Sequence, residues 1–333
     1  MKKLAVLLIM VIAVGTADAQ ANQPLRLVQT ISIPNVDGRL DHLGIDVAGR
    51  RLFVAALGNN SLEVIDLDKG KWVQSLSGLS KPQGVYYIPK AKKVFVANGS
   101  DGSCRMFAGS PLQSAGQLQL SLGADLMEYD PYSKVLYVGH GGRDAGKEYG
   151  EFAIIDAGKG AQLGDIQTEA HPGGIAIERR GRVFVTIPEK NKIIVVDAKK
   201  RQVTATWDLP QTQQPVSLAL DEDDHRLFVG SRKPPQITVL DTETGKSVAN
   251  METIGLLDGI SYDAAHKRIY VSGGEGFVGV YQQRDADHYE PLARIPTAYM
   301  ARTSLFAPAL NRFFVALPRH DNHDAEIQVF ETQ

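Results

Sequence analysis

The chain has 333 residues, a formal net charge of −2 and a pI near 6.5, a balance that argues against a broadly cationic nucleic-acid surface. Cys104 is its one cysteine, which excludes an intrachain disulfide, haem attachment through C-x-x-C-H and a cysteine-rich zinc site. Any metal, and a divalent cation is compatible with the composition, would have to be held by His, carboxylate or backbone ligands.

The first element in chain order is a targeting signal. Lys2 and Lys3 precede a short apolar run, Leu4 to Val14, and Ala17-Asp18-Ala19 supplies the small-x-small pattern of a cleavage site. The run is shorter than the roughly 20 residues a membrane helix needs, and no later run is longer, so residues 1–19 are expected to be a signal peptide rather than an anchor. No Cys follows the cleavage point, which argues against a lipoprotein. The expected location is periplasmic or secreted.

From residue 25 to 333 one supersecondary unit recurs. A basic residue followed by a β-branched and aromatic run appears at Arg51, Lys93, Lys134, Arg182, Arg226, Arg268 and Arg312, spaced by 42, 41, 48, 44, 42 and 44 residues. Each copy is preceded by an apolar strand and turn (LGIDVAGR, GIAIERRG, LALDEDDH, ISYDAAHK). A third strand follows (LEVIDLD, FAIIDAG, IIVVDAK, ITVLDTE), and then a more polar fourth (WVQSLSGL, QVTATWDL, SVANMETI). Four short strands per period, with turn residues between them, make a propeller blade. The expected fold is therefore all-β, a seven-bladed propeller of four-stranded antiparallel blades. The last copy stops after its third strand, IQVFETQ, while LRLVQTISIP near the start reads as a fourth strand with no blade of its own. Pairing the two closes the ring and removes exposed sheet edges.

These residues resemble the YVTN-repeat family of bacterial seven-bladed propellers: the "[KR]-[VLI]-[FY]-V" anchors, the "V-[IV]-D" third strands and a period near 42 residues. The resemblance covers almost all of residues 25–333. It implies the fold strongly and an activity weakly, since similar propellers include lactone-opening enzymes, copper-dependent oxidoreductases and surface proteins. The G-H…W-D signature of WD40 blades is absent.

Propeller geometry converts repeat position into spatial position. Residues that start innermost strands, and those in loops joining second to third strands, share one face. On that face the sequence puts His42 and His171 ahead of blades one and four, His140 at the end of the second strand of blade three, and His320 and His323 in the loop of blade seven. Asp41, Gln83, Asp125, Asp258 and Arg302 lead blades one, two, three, six and seven, and Asn98, Asp101, Arg143, Arg232, Glu275 and Arg319 lie in the loops between second and third strands. The expected ligand-binding set is His42, His140, His171, Asp125, Asp258, Arg302, Arg319 and His320, with His42 and His171 as the first metal-ligand pair. His225, His266 and His288 belong to turns of the opposite face.

Other motifs carry structural readings. Gly274–Gly279 matches G-x-G-x-x-G but lies between strands, where no helix follows to receive a pyrophosphate, so no nucleotide is expected. Asp66, Asp156, Asp197 and Asp241 end third strands and suit Asx capping of the next turn. Cys104 reads as a small buried hydrophobe, and Trp72 and Trp207 as packing on outer strands. The segment from Gly139 to Glu151 is the longest loop. The functional expectation is an exported scaffold that binds a small ligand or protein partner at the channel mouth. The alternative is a metal-dependent hydrolase or lyase acting on a lactone-like substrate. Haem and nucleic acid are argued against, and a closed ring suits a monomer.

Overall fold

The computed structural model describes residues 23–333, so the expected signal peptide at residues 1–19 lies outside the described residues. The described chain forms seven sheets of four antiparallel strands, in the order the repeats dictate. Blade one, for example, runs Leu43–Asp46, Arg51–Ala56, Ser61–Asp66 and Lys71–Leu76 from the channel outward. The seventh sheet takes its outer strand from the start of the chain: Leu25–Ile33 pairs with Ala325–Thr332, Leu25 opposite Thr332 and Ile33 opposite Ala325. The ring is thus closed as expected, by antiparallel hydrogen bonds. No helix among the described residues is long and apolar enough to cross a membrane.

The repeated anchor specifies this architecture through three separate interactions. The aromatic at its third position (Phe53, Phe95, Tyr137, Phe184, Phe228, Tyr270 and Phe314) is buried between blades in every copy. Truncating such a side chain costs about 3–5 kcal/mol. The basic residue at its first position reaches forward to the following blade. Arg51 Nη1 donates to Gly109 O at 2.7 Å, Arg182 Nη1 to Thr242 O at 2.6 Å and Arg226 Nε to Ala286 O at 3.0 Å. Each of those carbonyls sits in the turn between the third and outer strands of the next blade. Finally, in the four blades whose third strand ends in Asp, that Asp caps the following turn. Asp66 Oδ1 accepts from Lys69 N, Asp156 Oδ1 from Lys159 N, Asp197 Oδ1 from Lys200 N and Asp241 Oδ1 from Thr244 N.

Strand register corrects the anchor of blade three. Val135 pairs with Asp156 as Arg51 pairs with Asp66, so Val135 occupies the basic position and Lys134 the turn residue before it. Lys134 accordingly has φ +62°, matching Arg50 at +53° in blade one.

Innermost strands of neighbouring blades almost touch where the ring is narrowest. A Cβ on Gly84 would lie 2.2 Å from Asp125 O, and one on Gly174 would lie 2.8 Å from the Ser217 Cα. Glycine is required at both positions by this approach of backbones. The first of these contacts fixes where Asp125 stands relative to blade two.

Candidate functional site

The innermost strands of all seven blades line a central channel of about 620 Å³. His42 and Asp258 stand at its upper mouth, and Pro89, Lys90 and Pro131, which follow innermost strands, line the lower end. The wall between is mostly aliphatic and aromatic.

Backbone pairing holds the mouth residues rigidly. Asp41 N donates to Ala55 O at 2.8 Å and Ala55 N to His42 O at 3.0 Å, so both residues extend the ladder of blade one above its innermost strand. Asp125 N donates to Gly139 O at 2.9 Å in the equivalent place of blade three. The outcome is a compact charged group from five blades. Potential ligand atoms of Asp41, His42 and Asp125 all lie within 4.8 Å of one another. Arg39 Nη2 donates to Asp41 Oδ1 at 2.7 Å and stands 3.6 Å from Asp258 Oδ2. Arg232 Nη2 donates to Asp258 Oδ1 at 2.5 Å, and Arg302 Nε stands 2.9 Å from Asp258 Oδ2.

This group is incompletely satisfied. Asp41 Oδ2, Asp125 Oδ1, Asp258 Oδ2, Arg39 Nε and Arg302 Nε are buried atoms without a hydrogen-bond partner; the Arg302–Asp258 contact is close but not aligned for one. Such atoms are rare in folded proteins because each forfeits its hydration. Burial pushes the Asp41 carboxyl up to about 6, with Asp125 and Asp258 adding to the rise and His42 and Arg39 opposing it. Burial also holds the Arg302 guanidinium below its ordinary value.

Of the expected ligand-binding residues, the structure brings His42, Asp125, Asp258 and Arg302 to this mouth. The other four stand elsewhere. The second strand of blade three extends to Gly141, which puts His140 inside the sheet. His140 is buried, its Nδ1 accepting from Ser121 N at 3.2 Å and its Nε2 donating to Asp165 Oδ1 on the outer strand at 2.9 Å. His171 Nε2 donates to Gly123 O at 2.7 Å, and His171 is not a member of the group around His42. The expected His42–His171 pair therefore gives way to His42 with two carboxylates. Arg319 lies at the rim, paired with Asp37 at 3.0 Å and Asp324 at 3.1 Å, and His320 donates Nδ1–H to Pro318 O at 2.9 Å while its ring stacks on His323. The long loop of blade three is shorter than expected, Gly142–Tyr149, and is held to its blade by Lys147, whose Nζ contacts Ser121 Oγ at 2.9 Å and Glu151 Oε2 at 2.7 Å.

Two features escaped sequence reasoning. Arg39 is the cation bridging Asp41 and Asp258; its signal was the Arg-x-Asp spacing, which puts both side chains on one side of an extended segment. Within the channel, Glu128 faces Tyr86 and Tyr129, whose rings are 6.2 Å apart, and burial pushes its carboxyl up to about 7. An isolated Met-Glu-Tyr-Asp strand gave no hint of this. The remaining motifs behave as read: Gly274–Gly276 turn between strands Arg268–Gly273 and Phe277–Gln283, Trp72 Nε1 donates to Glu63 Oε2 at 2.8 Å, and burial pushes the Cys104 thiol up to about 12.

No family model matches the chain, and no curated protein matches it. Solved structures do. A chain of Kuenenia stuttgartiensis hydrazine synthase superposes with a TM-score of 0.74 at 16% identity, covering 90% of this chain and 97% of that one. A chain of the mitotic checkpoint complex superposes with a TM-score of 0.74 at 14% identity, covering 99% of this chain and 98% of that one. At such identities the similarity concerns the fold: this chain is a seven-bladed β-propeller, an architecture that commonly serves as a binding scaffold.

Proposed function

We propose that this chain is an exported, YVTN-type propeller that binds a small polar ligand at the upper mouth of its channel. The observation that carries this reading is the set of buried, unpartnered atoms from several blades. Acceptors on Asp41, Asp125 and Asp258 and donors on Arg39 and Arg302 gather beside His42 and Asp258, which line the opening. A ligand with both donors and acceptors would satisfy them together. The channel volume, about 620 Å³, suits a metabolite-sized molecule, with its polar end at the mouth and its body along the aliphatic wall. The N-terminal residues 1–19 support export.

Native mass spectrometry of the full chain, purified without dialysis, tests the reading. A retained mass of metabolite size is expected, absent from Asp258→Asn and Arg302→Met. Glutamate, citrate and glucose would then serve as zwitterionic, polyanionic and polyhydroxylic probes in thermal-shift titrations. A chain that retains no mass and responds to none of the three probes at millimolar concentration is not such a binder.

A further inference from the structure

We propose that Asp41, His42 and Asp125 form a site for one divalent first-row metal ion, a site beyond the organic ligand inferred above. The donor atoms of the three already lie within 4.8 Å of one another. Ligand atoms held about 2.1 Å from a metal in tetrahedral array are separated by roughly 3.4 Å, so closing the group takes a small shift. Asp41 is rigid, its side chain 1% exposed, whereas His42 is 19% exposed and can move to meet it. One imidazole nitrogen and two carboxylate oxygens form a donor set suited to Zn²⁺, Mn²⁺ or Fe²⁺.

Independent observations point to an ion rather than to an acidic cluster at rest. Asp41 Oδ2 is fully buried and has no partner, although Oδ1 of the same carboxylate is well bonded to Arg39. Arg39 therefore orients the carboxylate and leaves its second oxygen free, as an outer-sphere partner does for a metal ligand. Asp125 Oδ1 is likewise buried and unpartnered, and Asp125 makes no salt bridge among the described residues. Glycine at position 84 keeps that residue close to blade two, since any Cβ there would strike the Asp125 carbonyl. The three ligands come from the segments leading into two innermost strands, held by backbone bonds from Asp41 N to Ala55 O and from Asp125 N to Gly139 O.

Isothermal titration of Zn²⁺ into the chelator-treated full chain tests this, with Co²⁺ as a spectroscopic reporter. One equivalent of Zn²⁺ should bind, and Co²⁺ should develop visible d–d bands that Zn²⁺ abolishes. Asp125→Asn and His42→Asn should each weaken Zn²⁺ at least 30-fold or so while keeping the wild-type near-ultraviolet circular dichroism. His171→Asn should bind Zn²⁺ as the wild type does. Failure of the wild type to take up one Zn²⁺ overturns the proposal, whatever the variants do, and so does an unchanged affinity in both ligand variants. Loss of binding in His171→Asn also overturns it, because the ion would then sit elsewhere. The organic ligand is tested separately, because its mass measurement turns on Asp258→Asn and Arg302→Met, which leave the three metal ligands intact.

Discussion

Two groups of the same composition stand at opposite faces of the ring, and they differ in what fills them. At the lower face Glu178, His225 and Glu243 gather with potential ligand atoms within 4.8 Å of one another, as Asp41, His42 and Asp125 do at the upper mouth. The lower group already contains a cation. Arg182 donates Nε to Glu178 Oε2 at 2.7 Å, and Nη2 to Glu178 Oε1 and Glu243 Oε1 at 2.8 Å each. Both carboxylates there are satisfied, and only His225 Nδ1 is left without a partner. At the mouth, Arg39 takes one oxygen of Asp41 and none of Asp125. Two acids and a histidine become a candidate site only where the neighbouring guanidinium leaves carboxylate oxygens unpaired.

The largest effect that would break this contrast is at the lower face. Arg182→Ala should destabilise the chain by about 3 kcal/mol in urea unfolding, since it strands the buried Glu178 and cuts the latch to Thr242 of the next blade. Asp125→Asn removes a carboxylate that has no pairing partner, and should shift stability by less than about 1 kcal/mol or raise it slightly. A loss at Asp125 as large as that at Arg182 would show that the mouth is as well satisfied as the lower face.

Zinc should sharpen the same contrast. At one hundred times its dissociation constant a metal bound by the folded chain alone adds about 2.7 kcal/mol, seen as a higher thermal midpoint. The gain should persist in His225→Asn and fall below about 1 kcal/mol in Asp125→Asn.

A smaller effect concerns pH. Burial raises Glu128 from an ordinary 4.5 to about 7, so the folded chain holds this proton more tightly than the unfolded chain does. That stabilisation is present below pH 4.5 or so and is lost as pH rises to about 7; the full shift corresponds to about 3 kcal/mol, which the half-buried position of the side chain reduces to the order of 2 kcal/mol. Glu128→Gln should flatten this part of the stability–pH curve and be the more stable form at pH 8 or so. Parallel curves for the two proteins would mean that the channel wall is wetter than its lining suggests. A further small effect is expected of His171→Asn, which should cost about 1 kcal/mol through its bond to Gly123 O and leave the zinc response in place.

The architecture was legible because each anchor carries its own reasons. Phe53 and its six equivalents fill the gaps between blades, Asp66 and its equivalents cap turns, and IQVFETQ needed the strand that LRLVQTISIP supplies. The site was half legible. Position in the repeat correctly brought His42, Asp125, Asp258 and Arg302 to one mouth, because the starts of innermost strands must converge on the axis. His140, His171, Arg319 and His320 are instead engaged by Asp165, by Gly123 O, by Asp37 and Asp324, and by Pro318 O. His140 ends the second strand as expected, but that strand runs on to Gly141 and the His140 side chain is buried against Asp165 rather than open to a ligand.

The sequence by itself determined the number of blades, their order and the closure of the ring, since these follow from local patterns that repeat and from ends that complement each other. Only the tertiary structure decided which charges meet and which remain unpaired. Those outcomes depend on distances across the channel and between blades, set by contacts such as Gly84 against Asp125 and Arg39 beside Asp41 and Asp258. A repeat pattern fixes where each blade begins; Coulomb interactions fall off over a few ångströms, a scale that blade packing alone sets.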